Sequence, residues 1–487
     1  MAADSMAARL SPRLPALALG VAASLAVVLL YVPWITAPQI RYDDVNFLTK
    51  SRTWADTWAH LFQPMNEHVM PLARASAGVL MQLTPRQSSI PLAAEVHGIL
   101  AVVVGVWLLF QFVRRELGHD VYGVVAMTLW GVTTTYYECV TWYSASFFIL
   151  ALDTMLLGLL AAQAFRRGSG LSRLALCGVC CALAPAFHST ALLGGLCCAL
   201  YLAGAPFEDS AGRPSPLRTA ATIAVPLLGT VAFVAFGFIV ATGEIVHAEH
   251  YRGKTIFAAF DPVQGVRNGL RTLADNQIPG AVGYWDKTSV FAWPTALSIV
   301  AAVSVVAAGW WWIAPHRRLL VVGAVLILGS NFLVYGARAD WSYERTVHNW
   351  TRYHLFPHLG LVLFVVGGLP AIGRRWGRLA ADTHLSRRQI VGLAALIAVM
   401  LGCHWPRSRG SHFIVPPEQT SVLQRVERVD AYCRAAHIDG ATARQALEFV
   451  QFPLGYEREN AWEFLRGSRS PKPMPVETAR ALLVQVR

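Results

Sequence analysis

The chain has 487 residues, 55% of them hydrophobic and only 14% charged, with a formal net charge of +12. A soluble domain devotes about a quarter of its residues to charge, so this composition, with its positive mean hydropathy, excludes an ordinary soluble enzyme and makes lipid the main solvent. The surplus of arginine does not indicate a nucleic-acid binder, because the arginines stand in short clusters between apolar runs, as membrane orientation requires.

A membrane span needs about 20 apolar residues. In chain order the runs that qualify are Leu14 to Ile35, Ile90 to Val113, Val121 to Tyr137 and Trp142 to Phe165. A close pair follows, Leu171 to Phe187 and Thr190 to Leu202, hinged near Pro185 and His188. Then come Ala220 to Ala241, Phe291 to Ala314, Leu319 to Tyr335, Leu355 to Leu369 and Ile390 to Cys403. The expected fold is an all-α polytopic membrane protein with about eleven transmembrane helices. The first run has an apolar core too long for a signal peptide and no clear small-x-small cleavage site behind it.

Loop charge orients the array. With the N-terminus inside, the inner loops carry Arg9 and Arg13, Arg114 and Arg115, Arg166 with Arg167 and Arg173, and Arg213 and Arg218. Arg317 and Arg318, and Arg374 through Arg388, continue the pattern. Acids in those loops are confined to Glu116 to Asp120, Glu208, Asp209 and Asp382. Residues 1–403 then form the membrane domain, with the C-terminus outside. Residues 36–89 and 242–290 form large external loops, Gly336 to His354 a shorter one, and residues 404–487 a small non-cytoplasmic appendage. In that tail Val422, Val426, Val429 and Tyr432 show helical spacing.

Of the eight cysteines, Cys177, Cys180, Cys181, Cys197 and Cys198 lie inside apolar runs. The Cys177-Gly-Val-Cys180 spacing has no polar ligand partners nearby, so it reads as packing by small residues and no metal site is assigned.

The first external loop opens with Asp43-Asp44-Val-Asn46-Phe47, and beyond it Phe47, Trp54, Trp58, Leu61 and Phe62 fall at helical spacing. This predicts an amphipathic helix along the membrane surface, with tryptophan at headgroup height. The Asp pair is expected at its start, where a carboxylate accepts hydrogen bonds from free backbone N–H groups. One carboxylate can cap while its neighbour faces a cleft, since successive helical residues point about 100° apart. The loop continues with Asn66-Glu67-His68-Val-Met-Pro71, a second cluster of acid, imidazole and turn residue.

An acidic pair soon after the first span, then an interfacial helix and a loop His and Pro, resembles the bacterial lipid-linked-sugar glycosyltransferases of the GT-C type. These include protein mannosyltransferase-like and aminoarabinose transferase-like members. Tyr136-Tyr-Glu138-Cys-Val-Thr-Trp142, expected in a short outside turn, is similar to that family, as is Arg352-Tyr-His354-Leu-Phe-Pro357-His358. No further motif fixes the sugar or the acceptor.

The resemblance implies a GT-C-like fold in a bacterial inner membrane and an inverting transfer from a polyprenyl-phosphate-linked sugar. The acceptor would be a hydroxyl of a glycan, lipid or protein, and no nucleic acid is involved. A first-loop aspartate, Asp43 or Asp44, would be the general base. A polyprenyl phosphate leaves as a stable anion and needs no general acid, unlike the leaving group of a two-carboxylate glycosidase. The donor phosphate calls for cations, and arginine binds it through a bidentate fork. Arg352 is the leading candidate, with Arg345, His348 and His354 close by and Arg338, His250, Arg252 and Lys254 as alternates. Glu67, His68 and Glu138 are further site candidates. Asp43, Asp44, Glu67, His68 and His250 offer ligands for a divalent cation, but no spacing is diagnostic and no cofactor is assigned.

The rival readings are a lipid or glycan transporter or flippase, which would show broken spans and midplane charges, and a lipid-linked glycan polymerase or ligase with its key residues in a late loop.

Overall fold

The structure is a computed structural model that describes residues 14–36, 44, 47–48, 50–65, 68–84, 89–203, 216–240, 260–281, 303–312, 316–337, 351–375 and 385–409. In chain order the helices are α1 (Leu14–Thr36), α2 (Trp54–His60), α3 (Pro71–Leu83), α4 (Ile90–Leu117), α5 (Asp120–Gly131), α6 (Tyr137–Thr141) and α7 (Tyr143–Arg166). There follow α8 (Leu171–Phe187), α9 (Leu193–Ala203), α10 (Pro216–Val240), α11 (Pro262–Thr272), α12 (Val303–Trp312), α13 (Arg317–Ala337), α14 (Leu355–Arg375) and α15 (Arg387–Arg409). A 3₁₀ turn, Ser189–Leu192, precedes α9, and another, Thr351–His354, leads into α14. No strand occurs among the described residues.

Seven of these helices are long and apolar enough to cross a membrane: α1, α4, α7, α10, α13, α14 and α15. Their outward surfaces are as apolar as their buried ones. On α1 the buried residues Ala23, Val27 and Leu30 are matched by exposed Leu14, Val21, Leu25 and Leu29, the pattern of a helix with lipid on one side and protein on the other. The other segments expected to span are helical but shorter: α8, the 3₁₀ turn with α9, the described part of α12, and α5.

α7 is the hub of the bundle. Its apolar window is 78% buried, against 17% for α10 and 22% for α15, which therefore lie at the periphery. Small residues allow the closest crossings. A Cβ on Gly323 of α13 would sit 2.6 Å from the carbonyl oxygen of Gly360 on α14, and one on Gly360 the same distance from that of Gly323. Reciprocal glycine contact of this kind brings two backbones together where no solvent drives them to pack.

One end of the bundle is tied by charge. The Glu116 carboxylate at the end of α4 accepts from Gln163 Nε2 at 3.1 Å and from the Tyr201 hydroxyl. It also faces Arg166 at 3.5 Å and Arg318 at 3.8 Å. Beside it, Arg114 pairs with Asp120 at 2.8 Å. Glu116 and Asp120, two of the acids that interrupt the basic loop pattern, are thus partners of its arginines, and Glu116 joins α4, α7, α9 and α13.

The third expected span, Val121 to Tyr137, is corrected. The helix stops at Gly131 after 12 residues, about 18 Å of rise against a hydrocarbon core of about 30 Å. The chain then runs unwound and buried through Val132 to Tyr136 before the short α6. The expected outside turn at Tyr136 to Trp142 is accordingly a buried single-turn helix. Three consecutive threonines favour this break, because their hydroxyls compete for the backbone groups a helix would use.

Beside backbone bonds such as Thr133 N–H to the Gly131 carbonyl at 3.0 Å, side chains take over much of the lost helical bonding. Thr135 N–H donates to Thr133 Oγ1 at 3.1 Å, and the Tyr31 hydroxyl donates to the Thr133 carbonyl at 2.9 Å. Tyr136 OH donates to the Trp130 carbonyl at 2.6 Å, and His358 Nε2 stands 3.0 Å from the Leu129 carbonyl. A carbonyl only accepts, so His358 carries its proton on Nε2. Thr134 N–H donates to His404 Nδ1 at 3.2 Å, which puts the proton of that imidazole on Nε2 as well. Irregular backbone is tolerated at membrane depth where protein supplies such partners.

Candidate functional site

The α6 segment holds Glu138 and its following residues against the Thr351–His354 turn. Glu138 N–H donates to Thr351 Oγ1 at 3.2 Å, and Arg352 N–H returns a bond to Glu138 Oε2 at 3.2 Å. The guanidinium of Arg352 stands 3.5 Å from the same carboxylate oxygen, both side chains being mostly buried. Its carbon lies 4.5 Å from the ring centre of Trp142 and 5.1 Å from that of Tyr353. Arg352 is therefore packed inward on an acid and two aromatic faces, a cation–π arrangement. Burial drives the Cys139 thiol well above its ordinary range, Glu138 adding to the effect and Arg352 opposing it. A thiol so shifted is an inert neighbour.

Asp44 is fully buried. Its Oδ1 accepts from the backbone N–H of Ser144 at 2.7 Å, one of the N–H groups that the first turn of a helix leaves without an internal partner. Asp44 thus caps α7, close to Trp142 and so to Arg352. The expectation that the Asp pair starts the surface helix is corrected. That helix, α2, begins at Thr53, whose hydroxyl accepts from Asp56 N–H at 3.0 Å while Asp56 Oδ2 accepts from Thr53 N–H at 3.1 Å. This reciprocal pair is a capping box. The expected aromatic face is split: Trp54, Trp58 and Phe62 are exposed, while Phe47 and Leu61 are buried.

Around Asp44 lies a polar network absent from the sequence-based expectations. Ser146 Oγ donates to the Tyr143 carbonyl at 2.6 Å, which uses its only proton. His97 Nδ1, 3.1 Å from Ser146 Oγ, must then be the donor there. His97 Nε2 is left to accept from Ser76 Oγ at 3.3 Å. From α3 comes Arg74, 1% exposed, its guanidinium carbon 4.7 Å from the centre of the Phe47 ring. Burial lowers its pKa to about 10, so it is charged at neutral pH. The signal for Arg74 was available: it shares the buried face of α3 with Ala73, Ala77 and Gly78, where an arginine has no packing reason to sit.

His68 joins the same end of the bundle. Its Nδ1 is 2.7 Å from Ser189 Oγ, and its ring lies 4.7 Å from that of His188. His188 stacks on Phe148 at 3.6 Å, and Phe148 meets Tyr353 edge-on at 5.9 Å. His354 is buried beside Tyr353. Asp44, His68, Glu138, Arg352 and His354, drawn from distant parts of the chain, all gather around the start of α7. Asp43, Glu67, His250, Arg252, Lys254, Arg338, Arg345 and His348 lie outside the described residues.

The described part of the 242–290 segment adds a second polar wall. α11 starts at Asp261, whose carboxylate accepts from Val263 N–H at 2.9 Å and Gln264 N–H at 3.0 Å. It continues into a π-helical turn, Leu273–Gln277, carrying buried Asp275, Asn276 and Gln277. Gln277 and Asn331 exchange amide hydrogen bonds at 2.7 and 2.9 Å, and the carbonyl of Gly280 accepts from Thr135 Oγ1 at 2.9 Å. Single π turns mark functional regions with unusual frequency.

Among the described residues, neither Asp44 nor His68 belongs to a cluster with metal-binding spacing. The one such cluster consists of Cys177, Cys181 and Cys198. No protein-family model matches the chain, and no curated protein matches it either.

Proposed function

We propose that this protein is a membrane glycosyltransferase that moves a sugar from a polyprenyl phosphate to an acceptor hydroxyl at the outer membrane face, with inversion. The reading is supported above all by the convergence of Asp44, Glu138 and Arg352 at the start of α7. On this reading that end is the outer one and the N-terminus is cytoplasmic, from the positive-inside bias of the arginine-rich loops. With Asp44 engaged as the cap of α7, the base is assigned to Asp43. It takes the proton of the acceptor hydroxyl as that oxygen attacks the anomeric carbon, and the bond to the phosphate breaks with its electron pair leaving on polyprenyl phosphate. Arg352, with Arg74, supplies the cationic face that receives this charge. Glu138 holds Arg352 in position.

The deciding experiment is sugar transfer by purified protein in lipid, from a panel of polyprenyl phosphate sugars. Asp43→Asn should abolish turnover while donor binding survives. Turnover that persists in both Asp43→Asn and Asp44→Asn overturns the assignment of the base.

One observation favours the transporter as a second reading. Both carboxylate oxygens of Asp153 are buried without a hydrogen-bond partner among the described residues, about 15 Å along α7 from its start. Intramembrane acids mark transport pathways by default, and the broken α5–α6 segment is the kind of discontinuity that transporters use. Movement of a labelled lipid-linked sugar across proteoliposomes, lost in Asp153→Asn and accompanied by no transfer chemistry, would establish it.

A further inference from the structure

Three thiols from two helices meet inside the bundle, apart from every residue assigned a role above. Cys177 and Cys181 are four residues apart on α8 and so share one face. Cys198 on α9 meets them there. All three are buried, and their sulfur atoms lie within 4.8 Å of one another. α7 closes the wall behind them: a Cβ on Gly158 would stand 3.5 Å from the Cys198 sulfur. Cys180 and Cys197 are neighbours in sequence but contribute nothing to the triangle. The working spacing is i, i+4 plus a second helix, and not the CxxC that the sequence displays. Packing by small side chains accounts for buried cysteines, but it sets no direction for their sulfurs, and here all three converge.

We propose that Cys177, Cys181 and Cys198 form a three-coordinate site for a soft, thiophilic ion, with a trivalent metalloid of the arsenic(III) type as its preferred occupant. Bonds of about 2.3 Å to a pyramidal trivalent centre, whose lone pair closes the S–As–S angles to about 98°, put the sulfurs about 3.5 Å apart. The observed triangle, with sulfurs within 4.8 Å of one another, closes to that size if each sulfur moves by about 0.8 Å or less. Thiolates select soft ions, and charge then decides among them. Three thiolates around a monovalent ion leave two net negative charges in a low-dielectric interior, and around a divalent ion they leave one. A trivalent ion leaves none, which is the only arrangement without a buried charge. Arsenous acid, As(OH)₃, reacts with three thiols to give As(S-Cys)₃ and three waters. Three As–O and three S–H bonds break, three As–S and three O–H bonds form, and nothing is oxidised or reduced. Every species in that exchange is neutral.

The test uses the full chain, reduced and purified in detergent, incubated with arsenite and in parallel with zinc. The intact mass of the wild type should rise by one arsenic atom less three hydrogens, and arsenite should raise its melting temperature. Cys198→Ser and Cys181→Ser should lose both effects, while Cys180→Ser and Cys197→Ser keep them. A wild type that takes up no arsenic overturns the site, independently of whether any variant folds. So does an adduct that survives Cys198→Ser or is lost equally in Cys180→Ser. Zinc held as firmly as arsenic overturns the preference for a neutral product.

Discussion

Asp44 and Ser144 lie 100 residues apart and are joined at 2.7 Å, the carboxylate of one capping the helix that begins beside the other. The bond ties the first loop to the central helix, and it separates two roles that adjacent aspartates had shared. Asp44→Ala removes the acceptor and should lower stability by about 1 to 2 kcal/mol, the usual range for a lost N-cap. Asp44→Asn, which keeps an oxygen in place, should recover most of it. Thermal unfolding in detergent reads both, and Asp43→Asn should leave the melting temperature unchanged while abolishing transfer.

The Glu138–Arg352 pair is mostly buried, so removing one partner strands the other. Glu138→Gln or Arg352→Gln alone should destabilise by about 3 kcal/mol, and the double substitution by less than the sum. Arg352→Lys keeps the charge but loses the flat face over Trp142, with an expected loss of about 1 kcal/mol. A double-mutant cycle on melting temperature and donor affinity checks this. Strict additivity would show that the two side chains do not act together.

Arg74 gives a prediction with a sign. Burial lowers its pKa to about 10, so the folded state holds this proton less tightly than the unfolded state does. The resulting destabilisation is present in full below about pH 10 and fades as pH rises from there toward the ordinary arginine range. Arg74→Met, apolar and of similar length, should therefore hold or raise the melting temperature at neutral pH. If Arg74 helps to receive the donor phosphate, the same variant should raise the KM for the donor at least tenfold. Stability gained with function lost is the pattern of a functional group.

At the opposite end, Glu116→Gln keeps an oxygen for Tyr201 but removes the charge facing Arg166 and Arg318. It should destabilise by about 2 to 3 kcal/mol with donor affinity unchanged. A change in affinity without loss of stability would contradict a purely structural role for this network.

Hydropathy located the long apolar helices, though not α3 or α11. Leu171 to Phe187 matches α8 end to end, and Leu14 to Ile35 falls one residue short of α1. It failed where polar side chains take over backbone bonding. Nothing apolar changes at Gly131, yet the helix stops because Tyr31 and His404 on other helices serve the backbone beyond it, while His358 holds the Leu129 carbonyl just before it. The Thr53–Asp56 capping box was legible as Thr-x-x-Asp and was outweighed by the more conspicuous Asp pair. That Asp44 caps α7 was not legible, since a carboxylate's partner across 100 residues depends on tertiary packing. Arg352 and Glu138 were both selected as candidates, but their pairing rests on the short helix α6, where the sequence suggested only an outside turn.

The unwound Val132 to Tyr136 stretch has a bearing on how the protein is made. Thr134 reaches across 270 residues to His404 on α15, the last helix described. Until the ribosome has delivered α15, that backbone N–H stands in the membrane without its partner, and such a group is costly in hydrocarbon. The middle of the bundle therefore completes its own folding only after α15 arrives, and a chain truncated before His404 should be recognised by membrane quality control as unfinished although its central hub is already synthesised.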